Sequence, residues 1–290
     1  MCIRDRYIFI THEHPDHLHW PTLQYIKKHT DQEINVVVGL RKNKNVVNNI
    51  RKLGFKCAEI PPNKEYRINN FLKVANIPTI YDSAYVFVAD DKVILNQNDC
   101  HLSPRQCKAI KSQYPHIDVW WMQFSLAGYY ANHDDAKGLE KAREHHKKLI
   151  ERYYNYFQPD IFVPFASFVY FCKQHNAFLN DWALSINEIY ENFHHLFTEI
   201  VFYNDELLWE EFDERNLSNL QKWKQVYESQ KTILKPKEVV TQDIQTQAQK
   251  MLLSIEDVDP HDAPPELIFE FYDKKEVFKI DCQKGTCAFV

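Results

Sequence analysis

Apolar residues at the start of the chain come in short runs separated by polar loops, a pattern of strands alternating with amphipathic helices. Residues 7–11, Tyr-Ile-Phe-Ile-Thr, form a β-branched and aromatic run that ends in His12. Pro21, with Leu23, Tyr25 and Ile26 behind it, marks the first turn of a helix. A second buried-type strand is predicted over 35–38, a helix over 43–53 stopped by Gly54, and a strand over 55–60 closed by Pro61 and Pro62. This is βαβ rhythm. Over 71–98 it gives way to successive short strands, 71–77, 84–89 and 93–96, with a turn at Asp90-Asp91-Lys92.

Ser103-Pro104 opens a helix to about Tyr114, and 117–124 reads as a strand in which Trp120 and Trp121 face opposite sides. From Ala136 to Phe157 a long helix carries Leu139, Leu149, Ile150, Tyr153 and Phe157 on one stripe; His133-Asp134-Asp135 precedes it as a cap, and Pro159 ends it. A strand follows at 161–164. Residues 179–253 read as mostly helical, with aromatic anchors such as Trp182, Tyr190 and Trp223. After a Pro-containing loop, 266–272 and 276–281 form a hairpin around Asp273-Lys274-Lys275. The domains expected are 7–203, a helical extension over 204–260, and a hairpin or start of a further small domain over 261–290.

With 44% hydrophobic and 14% aromatic residues the chain can build a core, and it contains no apolar run long enough to span a membrane. Its five glycines lie too far apart for a P-loop or a dinucleotide fingerprint. A net charge of -5 gives no reason to expect nucleic acid or an anionic membrane as partner. The seven cysteines are scattered and form no C-x-x-C, which suits a reducing cytoplasm. The opening residues, MCIRDR, resemble a translated adapter scar, so an N-terminally truncated fragment is expected and Cys2 carries no weight.

The stretch richest in chemistry is His12-Glu13-His14-Pro15-Asp16-His17, three imidazoles and an aspartate crowded onto the loop that leaves the first strand. Neutral imidazole is the usual nitrogen ligand for zinc or iron, and carboxylate adds a harder oxygen. In extended backbone 12 and 14 point the same way, while 16 and 17 in the turn can face a second position close by. Two metals can share one such loop. The bland alternative is a solvated polar loop, and His19 and Glu13 suit an outer layer or solvent better than direct ligation.

Thr-His-x-His-x-Asp-His after a strand resembles the signature of the metallo-β-lactamase superfamily. The resemblance implies an α/β, four-layer αββα fold with metals at the edge of two facing sheets, here lacking its first strands and followed by a helical C-terminal extension. Residues 93–99, Val-Ile-Leu-Asn-Gln-Asn-Asp, look like the family's later strand, which makes Asp99 the bridging aspartate; a cap for the helix after Ser103 is the alternative. Within the superfamily, 14–23, 94–99 and 158–166, with His175 shortly after, are similar to the CMP-N-acetylneuraminate hydroxylase group in content and order. That likeness covers about residues 7–180. Asp82 stands where hydrolases of the superfamily place a third metal histidine, and Phe165 and Ala166 stand where they have a late one. His175 resembles the hydroxylase group's histidine.

The expected metal set is therefore His12, His14, Asp16, His17 and Asp99, with His175 and Asp82 as further candidates and Asp16 and Asp99 as catalytic residues. The cofactor is a divalent metal, Zn or Fe. The main expectation is a hydrolase in which a metal-bound hydroxide attacks a small-molecule substrate, such as a phosphoester or nucleotide sugar, while Asp16 orients it or takes its proton. One alternative is a Rieske-coupled iron hydroxylase-like enzyme acting on a nucleotide sugar of the CMP-sialate type. Its Rieske domain would lie upstream, since this chain has no paired Cys and His ligands for one. The other alternative is a non-catalytic metal- or ligand-binding module.

Overall fold

Val36 and Val38 turn to one side of their strand and Val37 to the other, and each side finds a different core. Their strand, β2 (Asn35–Gly39), lies between β1 (Tyr7–Ile10) and β3 (Lys56–Ile60) in a three-stranded parallel sheet. Val36 and Val38 join Ile10 against Leu23 of α1 (Trp20–His29) and against Val47 and Ile50 of α2 (Asn45–Lys52). Val37 and Ile60 instead meet Val74 and Tyr85 of a second sheet.

That sheet has six strands, ordered β4 (Glu65–Arg67), β5 (Leu72–Pro78), β6 (Ser83–Ala89), β7 (Lys92–Asn98), β8 (Val119–Gln123) and β9 (Ile161–Phe165). Pairing is antiparallel from β4 to β7 and parallel from β7 to β9. Its far face, with Val86, Leu95, Trp120 and Phe162, packs under α3 (Pro104–Gln113), α4 (Ala136–Phe157) and α5 (Ile186–Phe193). Helices, sheet, sheet and helices follow in turn. The class is α/β, with the four-layer αββα order expected.

This computed structural model describes residues 7–80, 82–196, 198–202, 212–229, 231, 246, 266–270, 277–281 and 286–289. The opening six residues, Tyr81, the loop at 257–265 and the turn at 273–275 lie outside them, as does most of the 230–253 part of the expected helical stretch.

The helix signals act where the sequence puts them. Ser103 and Gln106 form a capping box on α3, and Asp135 caps α4 through the Gly138 N–H, 2.9 Å away. Gly54 leaves α2 at φ +86°, a conformation that only glycine adopts freely. Trp120 is fully buried, whereas Trp121 on the opposite face packs beside Phe165. The short β4, with no apolar alternation, is absent from the sequence reading. So is β12 (Thr286–Phe289), which joins β10 (Glu266–Glu270) and β11 (Val277–Asp281) in an antiparallel three-stranded sheet.

The chain divides into two compact units, Met1–Val169 with Asp181–Ser229, and Tyr170–Asn180 with Gln230–Val290. These limits differ from the boundaries at 203 and 260 read from the sequence. The helix α6 (Phe212–Ser229) belongs with the first unit, because Leu220 joins the core under the large sheet and two buried asparagines tie it there. Asn216 donates to Thr198 O and accepts from Ile200 N–H, and Asn219 donates to Ile200 O. No helix among the described residues is long and apolar enough to cross a membrane.

Candidate metal centre

The histidine loop is short because it is pinned at both ends. β1 stops at Ile10, Thr11 and His12 are buried, and the chain then turns so that the N–H groups of His17 and Leu18 both donate to His14 O, at 2.9 and 2.7 Å. Leu18 drops into the core beside Leu23, which fixes the exit. The turn brings the three rings together: His12 Nε2 lies 2.9 Å from His14 Nδ1, and the centroids of His12 and His17 are 4.0 Å apart.

Thr11 joins two of the rings. Its Oγ1 is 3.1 Å from His12 Nδ1 and 3.2 Å from His17 Nδ1. A hydroxyl oxygen has two acceptor lone pairs, enough to take an N–H from both rings and leave both Nε2 atoms as lone-pair donors. Its place in the Thr-His-x-His motif carries no donor signal that marks this role.

The carboxylates come from the large sheet. At the end of β7 the register shifts between Asn96 and Asn98, and Asn98 takes a left-handed conformation with φ 47°. Asparagine tolerates this region better than most residues, and here its side chain donates to Ser83 O and accepts from the Asp99 N–H. The bend aims Asp99 at the rings, with Oδ2 3.3 Å from His17 Nε2 and 3.7 Å from His12 Nε2. Asp99 is thus no helix cap; Ser103 fills that place. Asp82 precedes β6 in a turn closed by Thr79, whose N–H donates to Asp82 O. Arg41, from the loop after β2, donates to Asp82 O at 2.9 Å and to Ser83 Oγ at 3.2 Å. Asp82 Oδ1 then lies 3.6 Å from His12 Nε2.

Burial holds the His12 pKa below its usual value, and the His17 charge adds to this against the pull of Asp99 and Asp82. Burial alone would also lower His17, but the hydrogen bond and charge of Asp99 outweigh it and the ring is raised. Asp99 mirrors this: burial would raise its carboxyl, and His17 brings it below the ordinary range. Asp82 Oδ1 and Asp99 Oδ1 are buried and accept no hydrogen bond among the described residues. Buried carboxylate oxygens without donors, on carboxylates that face imidazole nitrogens, fit a cation. One ligand atom each from His12, His14 and Asp99 falls within 4.8 Å of the others.

The other expected residues lie less centrally. The Asp16 side chain is 71% exposed, and its Oδ2 is 3.4 Å from His17 Nε2. Glu13 is exposed, and His19 Nδ1 pairs with Thr22 Oγ1. His175 is exposed and belongs to the second unit. A donor group absent from the sequence reading, His116, Asp118 and Asp160, sits at the opposite ends of β8 and β9, where the Lys92 ammonium already meets Asp118 Oδ1 at 2.8 Å.

No protein-family model matches the chain, and no curated protein matches it. Among solved structures, it is similar to a protein of the metallo-β-lactamase superfamily from Thermotoga maritima at 16% identity and a TM-score of 0.35, over 63% of this chain and 78% of that one. It is similar to the metallo-β-lactamase fold protein YhfI from Bacillus subtilis at 11% identity and a TM-score of 0.42, over 70% and 77%. Zinc-bound PqqB from Methylobacterium extorquens aligns over 40% of this chain and 41% of its own, with 12% identity and a TM-score of 0.32.

Proposed function

We propose that this chain is a metal-dependent hydrolase of the metallo-β-lactamase superfamily. The observation that carries the reading is the placement of Asp99, whose Oδ2 faces the Nε2 atoms of both His12 and His17 while its Oδ1 lies buried without a donor. His12, His14 and Asp99 would hold the ion, with Asp82 beside them; Asp16 and His17, sharing Asp99, offer a second donor set. A bound divalent ion supplies Lewis-acid polarisation and a water of lowered pKa.

The protein's own part is to hold these donors ready. Thr11 orients two rings through their Nδ1 atoms, as carboxylates and carbonyls do for metal-ligating histidines elsewhere. Arg41 and the Thr79 turn fix Asp82 through its backbone, leaving the carboxylate for the site. Asp16, open to solvent beside His17, would take a proton from an attacking water.

Metal content and turnover of a panel of carboxylic and phosphoric esters test the proposal together. The wild type should bind metal, lose activity on chelation and regain it with zinc, and His12→Ala/His14→Ala should do none of these. Equal metal in both proteins would overturn it. The hydroxylase-type alternative draws on the same donors, with nucleotide sugar as substrate, and predicts instead that iron with an added electron donor restores O₂ consumption while zinc restores nothing.

A further inference from the structure

Beside the histidines a cavity of about 450 Å³ opens between the ends of β1 and β2, a size that suits a small molecule. Its lining is mixed: Ile10, Val38, Val46 and Val47 form an apolar part, Thr11 and Asn43 stand among the polar groups, and Ile80, 82% exposed, lies at its edge. A large aliphatic side chain left this open gains by being covered.

The charges around the cavity are divided. Glu13 enters from the β1 side with His12 and His14, whereas Arg41 and Lys42 enter from the β2 side. Arg41 is engaged with Asp82 O and Ser83 Oγ, and Lys44 further along pairs with Glu59. Lys42 is exposed and forms no ion pair among the described residues. It stands just before α2, whose first turn contains no acidic residue and whose N-cap makes no side-chain hydrogen bond. The Asn43 side-chain oxygen already accepts the Asn45 N–H at 2.8 Å, so Lys42 is the cation this side offers to an anion.

We propose that this cavity seats the apolar body of a small anionic substrate, with the Lys42 ammonium meeting its carboxylate or phosphate and its reacting centre against His12 and His14. The inference deepens the hydrolase reading and rests on it for the identity of the reacting end. It narrows the substrate class to small anions with an apolar portion, which Ile10, Val38, Val46 and Val47 would cover.

Binding to the full chain after chelation tests it, because the anion then has no metal to meet. Octanoate, octyl phosphate and octan-1-ol are titrated calorimetrically against the wild type, Lys42→Glu and Val46→Trp. The wild type should bind at least one of the two anions ten-fold or more tightly than the alcohol, and the tighter of them names the head group. Lys42→Glu should weaken the anions at least ten-fold and leave the alcohol unchanged; Val46→Trp, checked by circular dichroism for retained fold, should weaken all three. No saturable binding of either anion, or equal anion affinity in Lys42→Glu, overturns the proposal. Metal analysis in parallel separates the two readings: a chain that binds metal but no anion loses the cavity, and one that binds anions but no metal loses the hydrolase.

Discussion

Asp99 reaches His17 across two sheets: the carboxylate Oδ2, at the end of a strand in the six-stranded sheet, lies 3.3 Å from Nε2 of a ring on the loop leaving the three-stranded one. Asp99→Asn keeps the shape of the side chain and removes the charge that a cation needs. Bound metal and turnover should fall sharply, at least ten-fold in metal affinity. Ser103→Ala, which removes the true cap of α3, should instead cost about 1 kcal/mol of stability and leave metal content unchanged. If Asp99→Asn retains full metal while Asp82→Asn loses it, the site has to be rebuilt around Asp82.

Thr11→Val is nearly isosteric and takes away the oxygen that two Nδ1 atoms share. Loss of such an outer partner typically weakens metal binding 10–100-fold. Competition with a chromophoric chelator gives the number directly, and an unchanged affinity would show that the rings are held by packing alone.

Three features of the centre differ in how openly the sequence displays them. His12, His14 and His17 are legible from spacing because a single turn gathers them. Asp99 and Asp82 lie 87 and 70 positions beyond His12, and only a likeness to a known motif connects them to it. Arg41 and Asn98 were illegible: one acts through backbone oxygens of a distant turn, the other through a left-handed φ that its residue type permits but does not announce. The same holds for the fold. Valine alternation betrays β2 at once, whereas the attachment of α6 depends on two asparagines whose partners, the carbonyls and amide of residues 198–200, carry no side-chain signature.

His146 gives a pH dependence free of any metal. The ring is buried on α4 and bonded to the Tyr130 hydroxyl at 3.2 Å, and burial lowers its pKa to about 4, helped by the charges of His145 and His101. An unfolded histidine titrates near ~6.5. Above that value both states are neutral; as the pH falls from there toward about 4, the unfolded chain takes up a proton that the folded one refuses. Stability should therefore decline across this window, by up to roughly 3 kcal/mol. Urea midpoints from pH 8 to pH 4.5 should show a smaller decline in His146→Gln than in the wild type. Parallel curves would place the acid sensitivity elsewhere.

Gly39→Ala tests the closeness of the two sheets. A Cβ there would stand 2.5 Å from Asn76 Nδ2, and Asn76 is wholly buried. Overpacking of this kind costs about 1–3 kcal/mol. Thermal melts should show the loss; an unchanged midpoint would mean that the Asn76 amide can swing aside at no cost.

The division of donors between sheets would make a bound metal a mechanical element as well as a chemical one. His12, His14 and His17 travel with β1, Asp82 and Asp99 with β6 and β7, and the backbone hydrogen bonds of each sheet stay within it. An ion at this centre would act as a rivet through two plates whose facing sides meet mainly through side chains such as Val37, Ile60, Val74 and Tyr85. Amide hydrogens of β1 and β2 in the metal-loaded protein should exchange with solvent at the pace of the large sheet, and in the stripped protein they should exchange ahead of it.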